Sequence, residues 1–98
     1  MTAFLLADVK PEDMEGYSSS GYLEAAVATA GAHGGVYLAR GGETTVLEGG
    51  WEPERMVIIQ FPSMDDLLAW YNSPAYQEWI PVRRRYAPNS RMVALQGV

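Results

Sequence analysis

The segment RMVIIQF, residues 55–61, limits the possible folds of this chain more than any other. Its centre is β-branched, which suits a strand. Successive side chains of a strand face opposite ways, so Met56 and Ile58 point to one side and Val57, Ile59 and Phe61 to the other. Both sides are apolar. Such a strand needs cover on two faces. The chain is one domain of 98 residues, and at that size folding alone buries only roughly 60–65% of the unfolded surface. With 48% hydrophobic residues it has a core to spare and apolar surface left to cover by pairing.

The other elements fall around this strand. AFLLADV (3–9) is apolar on both alternating faces and reads as a second two-sided strand. Pro11 opens a helical region, with Glu12, Asp13 and Glu15 in its first turn as the helix dipole prefers. Leu23, Ala26, Val27 and Ala30 form a helical stripe, whereas Met14 and Tyr17, projected at the same pitch, fall almost opposite. The weak helix formers of SSSG lie between them, so a kink is expected near Ser18–Gly21 and a firm helix at about 20–32. Gly34-Gly35 ends that helix. VYLAR (36–40) reads as a strand, Gly41-Gly42 as a turn, TTVLEG (44–49) as a further strand and GGWEPE (49–54) as a loop.

After RMVIIQF, Ser63 and Asp66 make a capping-box-like pair, and Met64, Leu67, Leu68 and Tyr71 repeat at helical spacing. That helix must stop before Pro74, because the residue before a proline resists the α conformation. Ser73 then caps a new helix that starts at Pro74, so YNSP is a corner between helices, and Asn72 is suited to bonding the loose backbone there. Tyr76, Trp79 and Ile80 form the apolar side of the new helix, Pro81 ends it or starts another turn, and RMVALQ (91–96) is the last strand. The order is β-α-β-β-β-α-β, with 36–49 readable as one bent arm. This is an α+β, ferredoxin-like split βαβ plan, an antiparallel sheet with helices on one face. A two-faced sheet on that plan predicts a homodimer packed sheet against sheet, a dimeric α+β barrel.

Charge and composition exclude several classes. The net charge of −5 argues against nucleic acid, whose phosphates need a basic surface. Residues 1–54 carry nine acids against Lys10 and Arg40, whereas residues 55–98 carry five arginines against three acids. The run Arg83–Arg85 suits a helix C-terminus, a pairing with acids across an interface, or an anion site. With no cysteine, disulfides and thiolate metal sites are excluded and a cytoplasmic setting is expected. One histidine and no cysteine do not supply the usual ligands of a transition metal or haem, so no cofactor is expected. The start, MTAFLLADVKPED, is not expected to be a signal peptide, and no segment approaches membrane-spanning length.

HGGVYLARGG, VLEGGWEPERMVIIQFPSMDDLLAWYNSPAYQ, PVRRR and the terminal SRMVALQG together resemble a bacterial family of small proteins, domain of unknown function 1330. The resemblance is closest over 33–98, with ARGG, FPS and WYNSP as its signatures. The SSSGY region departs from the family's usual helix. The resemblance implies a dimeric α+β barrel, a superfamily that includes cofactor-free monooxygenases, lactone isomerases and haem enzymes. It therefore implies a fold without choosing a chemistry.

Each candidate for chemistry also has a structural reading. His33 titrates nearest neutrality and is a candidate general base, or a helix-terminal histidine beside Gly34-Gly35. Arg40, at a strand end, suits a carboxylate or enolate-like oxygen, or an ion pair with Glu43 or a partner's acid. Arg83, at the PVR position, has the same two readings. Tyr37, Trp51, Tyr71 and Tyr76 suit the lining of a pocket for a flat ring, or the core. Asn72 could hold a substrate oxygen or simply serve the corner. Two functions follow. One is a dimeric binder of a flat anionic or enolisable small molecule, its pocket between sheet and helices. The other is a cofactor-free monooxygenase of phenols or quinols, or an isomerase, in which His33 or a tyrosine moves a proton and Arg40 and Asn72 steady an oxyanion.

Overall fold

The computed structural model describes residues 1–98. Nine elements follow in order: β1 (Ala3–Asp8), α1 (Met14–Ser19), α2 (Tyr22–Ala32), β2 (Val36–Arg40), β3 (Met56–Phe61), α3 (Met64–Tyr71), α4 (Pro74–Gln77), α5 (Ile80–Tyr86) and β4 (Arg91–Gln96). The strands form one antiparallel sheet in the order β2-β3-β1-β4. This is the ferredoxin-like arrangement expected from the sequence, with the helices on one face.

Strand register sorts the side chains. Leu5 pairs with Ile59 on one side and Ala94 on the other, and Ala3 with Phe61, so these residues share the face under the helices. Ala3, Leu5, Ala7, Ile59 and Phe61 are buried there with Ala26, Ala30, Leu67, Trp70, Tyr76 and Ile80. On the opposite face lie Phe4, Leu6, Ile58, Val36, Val93 and Leu95. Val36, Leu38, Val93 and Leu95 are between 54% and 61% exposed, so much of this second apolar face is open; Trp51 covers it only around Asp8.

The expected helix break is present. Ser20 closes α1, and Gly21 caps α2 with φ at 89°, a left-handed conformation that favours glycine. The turn re-aims the chain, so Tyr17 of α1 and Tyr22, Ala26 and Ala30 of α2 all face the core. The expected stripe changes accordingly. Tyr22 takes an inner place and Val27 faces outward, because α2 begins at Tyr22 with its own rotation.

The Asn-Ser-Pro corner also follows the chemistry of the sequence. Ser63 accepts from the backbone N–H of Asp66 at 3.1 Å and donates to its carboxylate at 2.9 Å. Ser73 accepts from the backbone N–H of Tyr76 at 3.3 Å, and Pro74 begins α4. Pro81 starts a further turn and lies within the first turn of α5. The expected strand at 44–49 is absent. Residues 41–55 form an irregular arm in which Leu47 is 89% exposed. β-branched Thr44, Thr45 and Val46 become a strand only where they pair with another strand, and they leave the free outer edge of β2 unpaired.

Candidate functional site

The sheet-to-helix layer contains four tyrosines and two arginines in close association. β2 supplies Tyr37 and Arg40. Residues three apart on a regular strand face opposite ways, but β2 is irregular between Tyr37 and Ala39. Tyr37 pairs with Ile59 and Arg40 with Val57, so both lie on the helix-covered face. A β-bulge of this kind re-aims a side chain. The Arg40 guanidinium carbon consequently lies 5.4 Å over the Tyr37 ring, within cation–π range.

Between sheet and helices is a cavity of about 30 Å³, lined in part by Tyr17, Tyr22, Tyr37, Arg40 and Trp70. Leu23 and Arg40 also border an open groove of about 570 Å³ whose walls include Glu24 and Arg55. Arg40 is thus common to the interior and to the surface.

Behind the cavity a second cation is fully enclosed. Arg83 of α5 is only 7% exposed, yet no carboxylate lies within ion-pair distance of it; both ion pairs of the chain are made to Asp8. Its Nη1 donates to the Tyr76 hydroxyl at 2.8 Å, and that hydroxyl lies 2.7 Å from the hydroxyl of Tyr22. Its Nε is buried with no hydrogen-bond partner, as is the Nε of Arg55. Burial alone would lower the pKa of Arg83, but Tyr76 and Tyr22 beside it outweigh this and raise it, so the guanidinium remains charged.

The tyrosines remain protonated for the complementary reason. Burial, reinforced by Tyr22, pushes both Tyr17 and Tyr37 up to about 12. Burial, with Tyr22 again adding to it, raises Tyr76 as well. At neutral pH these are hydroxyl donors rather than bases.

The other candidate residues lie apart from this cavity. His33 caps the C-terminus of α2, with Nδ1 3.1 Å from the carbonyl oxygen of Thr29, and is not among the cavity's lining residues. Asn72 caps α3 through its backbone N–H, which bonds Leu68 and Trp70, and its side chain makes no hydrogen bond. Tyr71 stacks on Tyr76, ring centres 5.7 Å apart, and borders a different cleft of about 190 Å³ with Leu67 and Leu68. Trp51 belongs to the arm and donates to Asp8. The structure therefore brings Tyr37 and Arg40 together, sets Arg83 and Tyr76 behind them with Tyr71 on the far side of Tyr76, and leaves His33 and Asn72 apart. No three His, Asp or Glu residues are grouped so as to hold a metal ion.

Tyr17, Tyr22, Arg55 and Trp70 are the site residues that the sequence does not single out. Trp70 fits the helical repeat of core residues, and Tyr17 is misplaced by any projection through the Gly21 break.

A family model described as domain of unknown function (DUF1330) matches residues 2–98. The chain belongs to that family. No curated protein matches it. Among solved structures, a protein of unknown function from Rhodopseudomonas palustris superposes with a TM-score of 0.78 at 18% identity, covering 99% of this chain and 82% of that one. An antibiotic biosynthesis monooxygenase superposes with a TM-score of 0.59 at 18% identity, covering 100% and 99%. A dimeric ferredoxin-like protein of unknown function from Thermobifida fusca gives 0.55 at 11% identity, covering 99% and 92%. At these identities the likeness concerns the fold.

Proposed function

We propose that this DUF1330 protein is a homodimer, packed sheet face to sheet face, that binds a flat anionic or enolisable small molecule between sheet and helices. The observation that carries the binding reading is the charge pattern. Arg40, Arg55 and Arg83 surround a cluster of tyrosines, and none of the three is paired with a carboxylate. Arg83 is buried, Arg55 half-buried and Arg40 exposed; a buried cation is normally paired, and a ligand anion would supply the charge that this group lacks. The cavity is too small for a ring, with room for about one water-sized group. The ring would therefore lie in the adjoining groove, against Arg40 and Arg55, with an oxygen directed inward. The largely uncovered apolar sheet face supports the dimer, as does the dimeric state of the Thermobifida fusca protein that shares this fold.

Calorimetric titration with a panel of aromatic carboxylates and phenols tests the binding reading. We expect at least one to bind, and Arg40→Ala to weaken it roughly tenfold, the loss of one charge-assisted contact of about 1.4 kcal/mol. Binding unaffected by Arg40→Ala would remove the reading.

The second reading is a cofactor-free enzyme, a monooxygenase of electron-rich phenols or quinols, or an isomerase. A hydroxyl chain that ends at the cavity favours it, because such donors stabilise a developing oxyanion. In that reading the proton moves through a tyrosine, since His33 is bonded to its own helix. Turnover on a quinol or lactone panel, with a pH profile unchanged by His33→Ala, is its expected signature.

A further inference from the structure

The interior hydrogen bonds have a direction, and it can be read from the donor inventory. A guanidinium has no acceptor, so at the 2.8 Å contact Arg83 donates and the Tyr76 oxygen accepts. The hydrogen of Tyr76 then has one acceptor within reach, the Tyr22 oxygen at 2.7 Å. If Tyr22 donated instead, the hydrogen of Tyr76 would be buried beside a cation with no acceptor, which costs the desolvation of an unmet donor. The chain therefore runs from Arg83 to Tyr76 to Tyr22. At its end, the hydrogen of Tyr22 has no protein acceptor, and Tyr22 lines the cavity, which Tyr76 does not.

Resting on the binding reading above, we propose that the Tyr22 hydroxyl is the donor that recognises the ligand's oxygen. Arg83 is the positioning residue that sets the chain's direction through Tyr76, and the oxygen recognised is a phenolate or enolate. Three observations converge on that oxygen. The cavity has the volume of about one water, enough for one oxygen but not for a ring. Tyr76, Arg83, Tyr17 and Tyr37 are polar groups beside Tyr22, and none is an acid. Chains of hydrogen bonds polarise one another, so a cation at one end makes Tyr22 a stronger donor to an anion than to a neutral phenol.

4-Nitrophenol is a suitable probe, because its ionisation is visible as a colour change while it is bound. Its affinity is measured across the pH range in which it ionises, for the full chain and for Tyr22→Phe, Tyr76→Phe and Arg40→Ala. We expect the native protein to bind the phenolate about tenfold more tightly than the phenol, equivalent to lowering the bound probe's pKa by about one unit. Tyr22→Phe should remove most of that preference. Tyr76→Phe retains the Tyr22 hydroxyl, which also lies directly beside Arg83, but removes the relay between them, and should leave an intermediate preference. Arg40→Ala should weaken both forms, the phenolate more because Arg40 is itself a cation, and the preference that remains should be lost when Tyr22→Phe is added.

The outcomes separate. No binding by the native protein overturns the binding reading and this proposal with it. Binding whose preference survives undiminished in Tyr22→Phe overturns the proposal alone. A preference unchanged in Tyr76→Phe overturns the relay from Arg83 through Tyr76. Because the readout is a ratio of two affinities in one protein, a general loss of packing does not imitate it. If Tyr22→Phe fails to fold, the ratio in Tyr76→Phe still decides, since an unchanged value there breaks the chain.

Discussion

The indole nitrogen of Trp51 donates to the carboxylate of Asp8 at 3.0 Å, joining residues that lie 43 positions apart. Asp8 also accepts from the backbone N–H of Glu54 at 3.1 Å. Together these bonds fasten the end of the irregular arm to β1. Lys10 and Arg91 approach the same carboxylate at 4.0 and 3.9 Å, but both pairs are long, and Arg91 is well exposed, so they add little. The arm has no strand partner, and this carboxylate takes over that anchoring role.

Trp51→Phe keeps the ring and removes the donor. A hydrogen bond to a charged group contributes about 1.5–3 kcal/mol, and the half-exposed position of Trp51 puts the expected loss at the lower end. Thermal melting should show the decrease, and hydrogen exchange should show faster opening of 41–55 with β3 unchanged. An unaltered arm in that variant would mean that the contact holds nothing in place.

The same carboxylate sets a pH dependence. Burial alone would raise the pKa of Asp8, but the bonds from Trp51 and Glu54 and the charge of Lys10 outweigh it, and the net shift is downward. A depressed folded pKa contributes stability that is present above the unfolded value and lost as pH falls through the folded one. The expected loss therefore begins below about pH 4. Asp8→Asn should flatten the acid limb of the melting curve. An identical acid limb in Asp8→Asn would assign it to other carboxylates.

Ser73→Ala should cost about 1 kcal/mol, because it removes the hydroxyl that accepts the Tyr76 N–H at the start of α4. For a domain of this length that is a fall of about 4–8 °C in Tm. Unchanged melting would mean that the corner is held by packing alone.

The elements that the sequence discloses are those whose causes are local. Ser63 and Ser73 cap their helices by rules that act over three residues, and both caps are present. The break before Tyr22 follows from SSSG. The two-sided pattern of residues 55–61 matches the two faces of β3, one under the helices and one open. What stays hidden depends on partners distant in the chain. Residues 44–49 have the composition of a strand yet do not pair with the free outer edge of β2. The bulge that turns Arg40 toward Tyr37 leaves no mark in VYLAR. Arg83 is a candidate anion ligand by its PVR position, but its burial against Tyr76, while Arg84 and Arg85 stay exposed, follows only from the packing of α5.

The open sheet face gives the assembly prediction. Val93 and Leu95 lie on it beside Leu6 and Phe4 and are 61% and 54% exposed. Light scattering should give about twice the monomer mass at micromolar concentration. Val93→Lys with Leu95→Lys places two charges in the expected interface and should shift the mass to the monomer while leaving the circular dichroism unchanged. A native protein that remains a stable monomer would sink the sheet-to-sheet dimer.

The buried tyrosines predict behaviour at the alkaline extreme. Burial first, and neighbouring tyrosine second, raise Tyr17 and Tyr37 to about 12. A group whose folded pKa is raised contributes stability that is fully present below its unfolded pKa and lost as pH rises through the folded value. For tyrosine that window opens near about pH 10 and, for these two, closes at about 12. Tyr76, raised in the same direction, adds to the effect at its upper end. Above about pH 10 the unfolded chain releases protons that the folded one retains, so stability should fall with each further rise. Ultraviolet titration should therefore show Tyr17, Tyr37 and Tyr76 silent until the far-ultraviolet dichroism collapses, and then ionising together. Three such residues in one layer make the transition steep. Tyr76→Phe should make it shallower, because one of the protons lost on unfolding is then absent. If the three instead ionise gradually while the dichroism persists, the layer admits water, and the dry, arginine-polarised donor at Tyr22 has no place in it.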